Sequence, residues 1–204
     1  RCPHDAALRS VQASGAAALP QATPALQALH DWATDQGRLP LAHACARFAA
    51  HHPAGLQAVL CGPTGERNVY RVQARPRVLC RVGRHSGAEN DLLIQIAAAL
   101  AVGSEAVLSP DTVVLRKRLP EAVQSLLRLQ DDTSNVQAAL MHGSREEALQ
   151  LAELIACASG PIISLTILAT GETQVPLERL VAERSLSINT AAAGGNASLM
   201  TMQA

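Results

Sequence analysis

Near the middle of the chain the apolar positions change from a continuous run to a helical spacing and then back to a run. The first run, residues 78–82, is rich in β-branched residues and ends at Gly83, as a buried strand does where it meets a turn. Apolar residues at i, i+3 and i+7 then define one face of a helix: Leu93, Ile96 and Leu100. We expect Asn90 and Asp91 to accept hydrogen bonds from its first N–H groups, and Gly103 to end it in a left-handed conformation.

A second apolar run, residues 106–108, stops before Pro110. Two buried strands joined by a helix are expected to be parallel, with a right-handed crossover. The pattern therefore predicts a βαβ unit of the nucleotide-binding type within an α/β fold, in which a Rossmann-like parallel sheet carries flanking helices. Three more segments have the apolar pattern of strands: 112–115, 136–141 and 162–168.

Helical spacing recurs on both sides of this unit. Thr23 before Pro24 predicts a helix start, and the buried faces of a helical hairpin are Leu26, Leu29 and Ala33, followed by Leu41, Cys45 and Phe48. Pro120 opens another predicted helix, whose apolar side is Val123, Leu126 and Leu127. Ser144 and Glu147 form an S-x-x-E capping box for a last helix, with a buried face of Ala148, Leu151, Ala152 and Ile155.

Residues 57–77 predict an exposed β-hairpin flap, because the turn residues 62–65 precede a roughly alternating segment. The turn lacks the Lys-Ser/Thr of a P-loop, so we do not assign it to phosphate. We therefore expect five segments: a linker at 1–23, a helical segment at 24–56, the flap at 57–77, a Rossmann-like core at 78–170 and a tail at 171–204.

The tail combines an alternating segment with small residues and then apolar ones. Leu186 and Ile188 alternate with serines, as in an edge strand, and the small residues would let the backbone lie close to another surface. We favour docking by β-augmentation over a mobile chain end, since the last apolar groups would otherwise be exposed. The residues expected to dock are Leu186, Ile188, Asn189, Thr190, Gly194, Gly195, Asn196, Leu199 and Met200.

Composition narrows the classes of function. The 204 residues carry no formal net charge and include one Trp, one Tyr and one Phe, which argues against a nucleic-acid surface. No apolar run is long enough to span a bilayer, and five scattered cysteines fit reduced thiols in a cytoplasm. His43, His51 and His52 are interpreted as solvated helix-end residues, so no metal site is expected. The chain starts with Arg1, which suggests a piece of a longer protein.

The flap, the strand at 78–82 and the segment AAALAVGSEAVL together resemble the front half of the aldehyde dehydrogenase cofactor domain. In that superfamily Gly143 and Ser144 would be the candidate cofactor contacts, because a helix N-terminus there faces the cofactor pyrophosphate. Capping is the preferred role for Ser144, since Glu146 and Glu147 put negative charge where a phosphate would sit. The superfamily's Gly-Gln-x-Cys nucleophile, Glu-Leu-Gly-Gly base and oxyanion-stabilising asparagine have no counterpart in this chain. We therefore predict no catalytic residue and no cofactor bound by it.

The whole chain, and the tail ERSLSINTAAAGGNASLM in particular, resembles the C-terminal end of the long bacterial proline utilization A proteins. The resemblance implies a non-catalytic domain that docks on the dehydrogenase domain of the same or a second subunit and covers a substrate-channelling cavity. The parent would use FAD and NAD, be a homo-oligomer, and pass electrons to quinone at a membrane while residing in the cytoplasm. The alternative function is a residual NAD-binding module.

Overall fold

A computed structural model describes residues 23–61 and 65–189 of the chain. Within these residues the helices are α1 (Pro24–Asp35), α2 (Leu39–His51), α3 (Ala88–Val102), α4 (Val113–Arg118), α5 (Glu121–Gln124) and α6 (Arg145–Ala156). The strands are β1 (Gln57–Leu60), β2 (Glu66–Ala74), β3 (Arg77–Val82), β4 (Glu105–Leu108), β5 (Leu127–Leu129), β6 (Ala138–His142), β7 (Ser164–Leu168) and β8 (Val181–Asn189). The chain divides into two units, and the described residues of the larger one are 23–54 and 74–182.

The larger unit is built on a five-stranded sheet with the order β5-β4-β3-β6-β7, in which every neighbouring pair is parallel. Val78 of the central strand pairs with Ala106 on one side and Ala138 on the other. The chain adds β4 and β5 in one direction from β3 and then returns to add β6 and β7 in the other. The predicted Rossmann-like α/β class is confirmed, and the order of strands reverses between β3 and β6.

Helices cover this sheet, and α3 is the most deeply placed of them. All twelve of its residues from Asp91 to Val102 are buried, and Gly103 ends it with φ +87° as predicted. The helical hairpin of α1 and α2 packs against α3 and buries the faces expected from the spacing. The Thr23 hydroxyl accepts from Leu26 N at 3.2 Å, which confirms the predicted start of α1. Beside β3 and β6, the buried face of α6 is formed by Ala148, Leu151 and Ile155.

The segment 112–115, which the sequence predicts as a strand, is helical. Pro110–Thr112 is a 3₁₀ turn, and α4 follows it directly. The fixed φ of Pro110 suits a first helical turn, and the Thr112 hydroxyl donates to Ser109 O at 2.6 Å. Leu115 is the buried residue of α4, so these apolar positions form a short surface turn rather than a sheet strand.

Two other predicted elements differ because of their place at the sides of the sheet. The helix predicted after Pro120 ends at Gln124, and Leu127 instead begins β5, where it pairs with Ala106. The strand predicted as buried at 162–168 starts at Ser164, and Ile162 before it is 97% exposed. Since β7 is the outer strand, it has a neighbour on one side only, and Leu168 is its buried residue.

The expected helix-capping role of Asn90 and Asp91 is also wrong. Gly87, with φ +98°, precedes the first turn of α3 without a side-chain cap. Asn90 instead accepts from Arg38 at 2.7 Å, and Asp91 is buried in contacts with other loops. Both side chains therefore join α3 to the rest of the unit instead of capping it.

The smaller unit is a three-stranded sheet with the order β1-β2-β8, and its described residues are 55–61, 65–73 and 183–189. β1 and β2 are antiparallel, with Ala58 opposite Tyr70, as expected for a hairpin flap. Among the described strands β8 is an outer one, and its Leu186 and Ile188 side chains are 48% and 40% exposed. Residues 171–182, assigned to the tail from sequence, belong to the larger unit.

Candidate functional site

The candidate site lies where β3 and β6 end side by side. Val82 pairs with His142, and each strand is followed by a glycine, Gly83 and Gly143. Gly83 N donates to His142 O at 2.7 Å, which keeps the two strand ends in register. In open α/β sheets, ligands bind outside the carboxyl ends of the strands at the point where the strand order reverses. In this chain that point is between β3 and β6.

A carboxylate of the chain itself occupies this position. Glu147 Oε1 accepts from Arg84 N at 2.8 Å, and Oε2 accepts from Ser144 N and from Ser144 Oγ, both at 2.9 Å. The Ser144 hydroxyl in turn accepts from Glu147 N at 3.2 Å, so the predicted capping box of α6 is confirmed. Because Arg84 lies in the loop after β3, the carboxylate also joins α6 to a second loop.

The two glycines give this carboxylate its space. A Cβ atom at Gly83 would lie 2.2 Å from Glu147 Oε2, and one at Gly143 would lie 2.8 Å from the same oxygen. The Arg84 N–H, followed by the Ser144 N–H and hydroxyl, holds the pKa of Glu147 below its usual value. The position is therefore arranged around a negative charge that α6 supplies.

On the other side of β3, the carboxyl edge is covered by Arg81. Its Nη1 donates to Cys80 O at 3.0 Å and to Val107 O at 3.2 Å, and its Nη2 donates to Gln130 O at 3.0 Å. Burial lowers the pKa of the Arg81 guanidinium. The side chain thus bridges β3, β4 and the residue after β5.

Two buried polar pairs attach the loop after β7 to this edge. Asp91, 4% exposed, accepts from Gly171 N at 3.0 Å and lies 2.8 Å from Nε2 of His85. His142 is fully buried, and its Nε2 lies 2.9 Å from Glu172 O. A carbonyl oxygen can only accept, so Nε2 carries the proton and Nδ1 accepts from Gln95 Nε2 at 2.8 Å.

A cavity of about 460 Å³ lies beside this loop at the start of α3. Two charged side chains are part of its wall, and both already have partners. Arg38 donates to Glu89 at 2.6 Å, and Asp91 is held by His85 and Gly171. Both charged groups in the cavity wall are therefore already engaged in contacts within the chain.

The structure brings together only some of the residues singled out from the sequence. Gly143 and Ser144 lie at the point of reversal, while Leu186, Ile188 and Asn189 are on β8. The other expected docking residues lie outside the described residues: Thr190, Gly194, Gly195, Asn196, Leu199 and Met200. Sequence reasoning missed Gly83, Arg84 and Arg81. A glycine directly after a buried strand was the available signal for the first of these.

Neither a metal centre nor a membrane span is found among the described residues. No group of three or more His, Cys, Asp or Glu side chains there is placed to hold a metal ion. No helix there has both the length and the apolar character to cross a bilayer. His43 and His51 are exposed as expected, whereas His52, which follows α2 in extended backbone, is only 7% exposed.

Comparison with curated proteins shows strong similarity to part of a longer protein. The chain is 45% identical over 183 residues to the bifunctional protein PutA of Salmonella typhimurium, covering 87% of the chain and 13% of the relative. It is 44% identical over 188 residues to the bifunctional protein PutA of Escherichia coli, covering 88% of the chain and 14% of the relative. For Rhizobium meliloti the identity is 34% over 189 residues, covering 88% and 15%. The chain thus spans about 13–15% of the length of these relatives.

Solved structures show the same fold at low sequence identity. Proline utilization A of Bradyrhizobium japonicum, as the D779W mutant, aligns with a TM-score of 0.52 and 22% identity over 64% of this chain and 15% of that one. Proline utilization A of Bdellovibrio bacteriovorus, inactivated by N-propargylglycine, aligns with a TM-score of 0.52 and 13% sequence identity. The alignment covers 70% of this chain and 19% of that one. No protein-family model matches the chain.

Proposed function

Because the chain matches the C-terminal region of the bifunctional PutA proteins, we propose that it is a non-catalytic, aldehyde-dehydrogenase-like domain of such an enzyme. The parent would oxidise proline with FAD and then oxidise glutamate semialdehyde to glutamate with NAD. This domain would dock on the dehydrogenase domain, of its own or a second subunit, and cover the cavity through which the intermediate passes. Its role would be containment and support.

The observation that carries this proposal is the exposed outer strand β8. Leu186 and Ile188 are two residues apart and so lie on one face of the strand, and both are substantially exposed. An outer strand also presents backbone N–H and C=O groups that a partner strand can pair with. We propose that the docking tail starts near Glu183, where the smaller unit resumes, and continues through the residues predicted from sequence.

The sequence supports a role without chemistry of its own. The nucleophile and base motifs of aldehyde dehydrogenases are missing from the 204 residues. A domain of this fold inside a longer enzyme can then serve through its surface rather than through a reaction. FAD and NAD would be held by other domains of the parent, a cytoplasmic homo-oligomer.

The test uses the full-length parent enzyme carrying Leu186→Glu together with Ile188→Glu. Charging two apolar anchors should weaken docking by about 1–2 kcal/mol or more, so coupled conversion of proline to glutamate should fall on the order of tenfold. Proline oxidation measured alone should stay unchanged. The matched control is Ser185→Glu, which adds charge on the same exposed strand away from that face. Coupled turnover equal to that of the unsubstituted enzyme would refute the docking role.

The parallel sheet and Gly143-Ser144 favour a second candidate, a residual NAD-binding module. The Glu147 carboxylate argues against it, since it places negative charge where the cofactor phosphates would lie. Calorimetry of the chain with NAD⁺ separates the two functions. We expect no saturable heat, and a dissociation constant in the micromolar range, roughly −8 kcal/mol, would establish the second function instead.

A further inference from the structure

The dinucleotide that this fold class implies does not fit the residues at the point of reversal. Rossmann-type domains hold a pyrophosphate against the N-terminus of the helix that follows a strand end, using backbone N–H groups. Here the N–H groups of Arg84 and Ser144 already donate to Glu147. A phosphate would have to displace a carboxylate or share its donors with a second negative charge.

We propose that Glu147 is a tethered anion that takes the place of a cofactor phosphate and ties the ends of β3 and β6 together. The tethered carboxylate is separate from the docking role and does not depend on it. It assigns a reason for the glycines at both strand ends, and it explains how the carboxyl edge of the sheet is completed by the chain's own groups.

The geometry exceeds what helix capping requires. A capping box needs the reciprocal bonds between Ser144 and Glu147, and these are present. The further bond from Arg84 N comes from 63 residues earlier in the chain, in the loop after β3. The two glycines belong to different loops as well, and a Cβ atom on either would collide with the same carboxylate oxygen. Glu147 is therefore placed between two loops, not only over its own helix.

Arg81 completes the edge on the side of β4 and β5. In dinucleotide-binding sheets the adenosine half lies near the end of the strand that follows the first helix, which is β4 in this chain. The Arg81 guanidinium donates to Val107 O of β4 and to Gln130 O just after β5. Two side chains of opposite charge, Glu147 and Arg81, thus occupy the two halves of the sheet's carboxyl edge.

The experiment compares the chain with its Glu147→Ala variant, using Glu146→Ala as the control from the same exposed helical turn. Amide hydrogen exchange at Arg84 reports the tie directly, because this N–H belongs to the other loop. We expect it to accelerate about tenfold in Glu147→Ala and to stay unchanged in the control. In Ser144→Ala, which removes the cap but leaves the Arg84 bond, exchange at Arg84 should also stay slow.

Thermal unfolding with added inorganic phosphate provides the second measurement. Phosphate should raise the Tm of Glu147→Ala, whose donors are free, and leave the Tm of the unsubstituted chain unaffected. If Glu147→Ala does not fold, the isosteric Glu147→Gln takes its place in the phosphate measurement only, because it removes the charge but keeps one acceptor oxygen for the Arg84 N–H. Equal exchange at Arg84 in the substituted and unsubstituted chains, or an equal phosphate effect on both, would overturn the proposal.

Discussion

At the scale of single residues, two charged side chains organise the carboxyl edge of the larger sheet. Arg81 donates to backbone carbonyls of β4 and of the residue after β5, and Glu147 accepts from a backbone N–H of the loop after β3. Charge-assisted hydrogen bonds are stronger than neutral ones, so each side chain stabilises more than one connection. Their effects can be tested separately, because they lie on opposite sides of β3.

Replacing Arg81 with Ala should lower the free energy of unfolding by about 1–3 kcal/mol, because carbonyl groups of β4 and of the residue after β5 lose a charged donor. Arg81→Lys should recover only part of this loss, since an ammonium lacks the planar fork that reaches several acceptors. Urea unfolding of both variants measures the difference. A full recovery in Arg81→Lys would show that charge alone matters.

The hydrogen bonds that Glu147 accepts predict a pH dependence of stability. The folded-state pKa of Glu147 is lowered below the usual 4.5, first by the Arg84 N–H and then by Ser144, with the charge of His85 acting in the same direction. The stabilisation is therefore complete above the unfolded value and is lost as the pH falls through the lowered folded value. The stability gap between the chain and Glu147→Gln should stay constant from about pH 8 to 6 and narrow below about pH 4.5. A gap that widens on acidification would contradict the assignment.

At the scale of elements, α3 determines how closely the layers approach. Its buried residues include a run of alanines, so the sheet and the α1–α2 hairpin can both pack near its axis. Each alanine contributes little apolar area, and the packing depends on the space that the missing side-chain atoms leave. A helix of this kind tolerates additional volume poorly.

Ala98→Leu should therefore destabilise the chain by about 1–3 kcal/mol, because Ala98 is fully buried in α3 and extra methylenes have no space. Ala46→Leu is the matched control, since Ala46 is exposed on α2 and the change should alter stability by less than about 0.5 kcal/mol. Chemical unfolding of both variants decides. Equal effects would mean that α3 has free space around it.

At the scale of the whole molecule, the exposed outer strand β8 and the similarity to part of a longer protein both support the proposed docking role. The chain corresponds to the C-terminal region of PutA proteins. Its described surface retains apolar side chains on β8 that a partner could cover.

Global unfolding of this chain can be followed through its thiols. Cys45 and Cys80 are buried, and burial raises the pKa of each thiol to about 12. Cys61 and Cys157 are exposed. A Cys2→Ser variant leaves only these four thiols. At neutral pH we expect the two exposed thiols to react quickly with a disulfide reagent, and the two buried thiols to react only at the rate of unfolding. The reaction kinetics with increasing urea test this. Four equally fast thiols would show that the larger unit opens easily.

The sequence alone determined most of the elements of this protein and their class. Local signals were sufficient for the start of α1, the end of α3, the capping box of α6 and the parallel β3–α3–β4 unit, because caps, glycines and apolar spacing act over a few residues. The predicted strand at 112–115 failed because Pro110 starts a helical turn there, which apolar spacing does not indicate. The predicted burial of β7 failed for a different reason. Apolar residues do not reveal whether a strand has a neighbour on each side.

Only the tertiary structure decided what lies at the carboxyl edge. Arg84 and Glu147 are 63 positions apart, and nothing local indicates that one would donate to the other. Capping could be predicted for Glu147 because both partners lie within one helical turn. Its contact between two loops, and the need for glycine at Gly83 and Gly143, arise only when β3 and β6 are paired side by side.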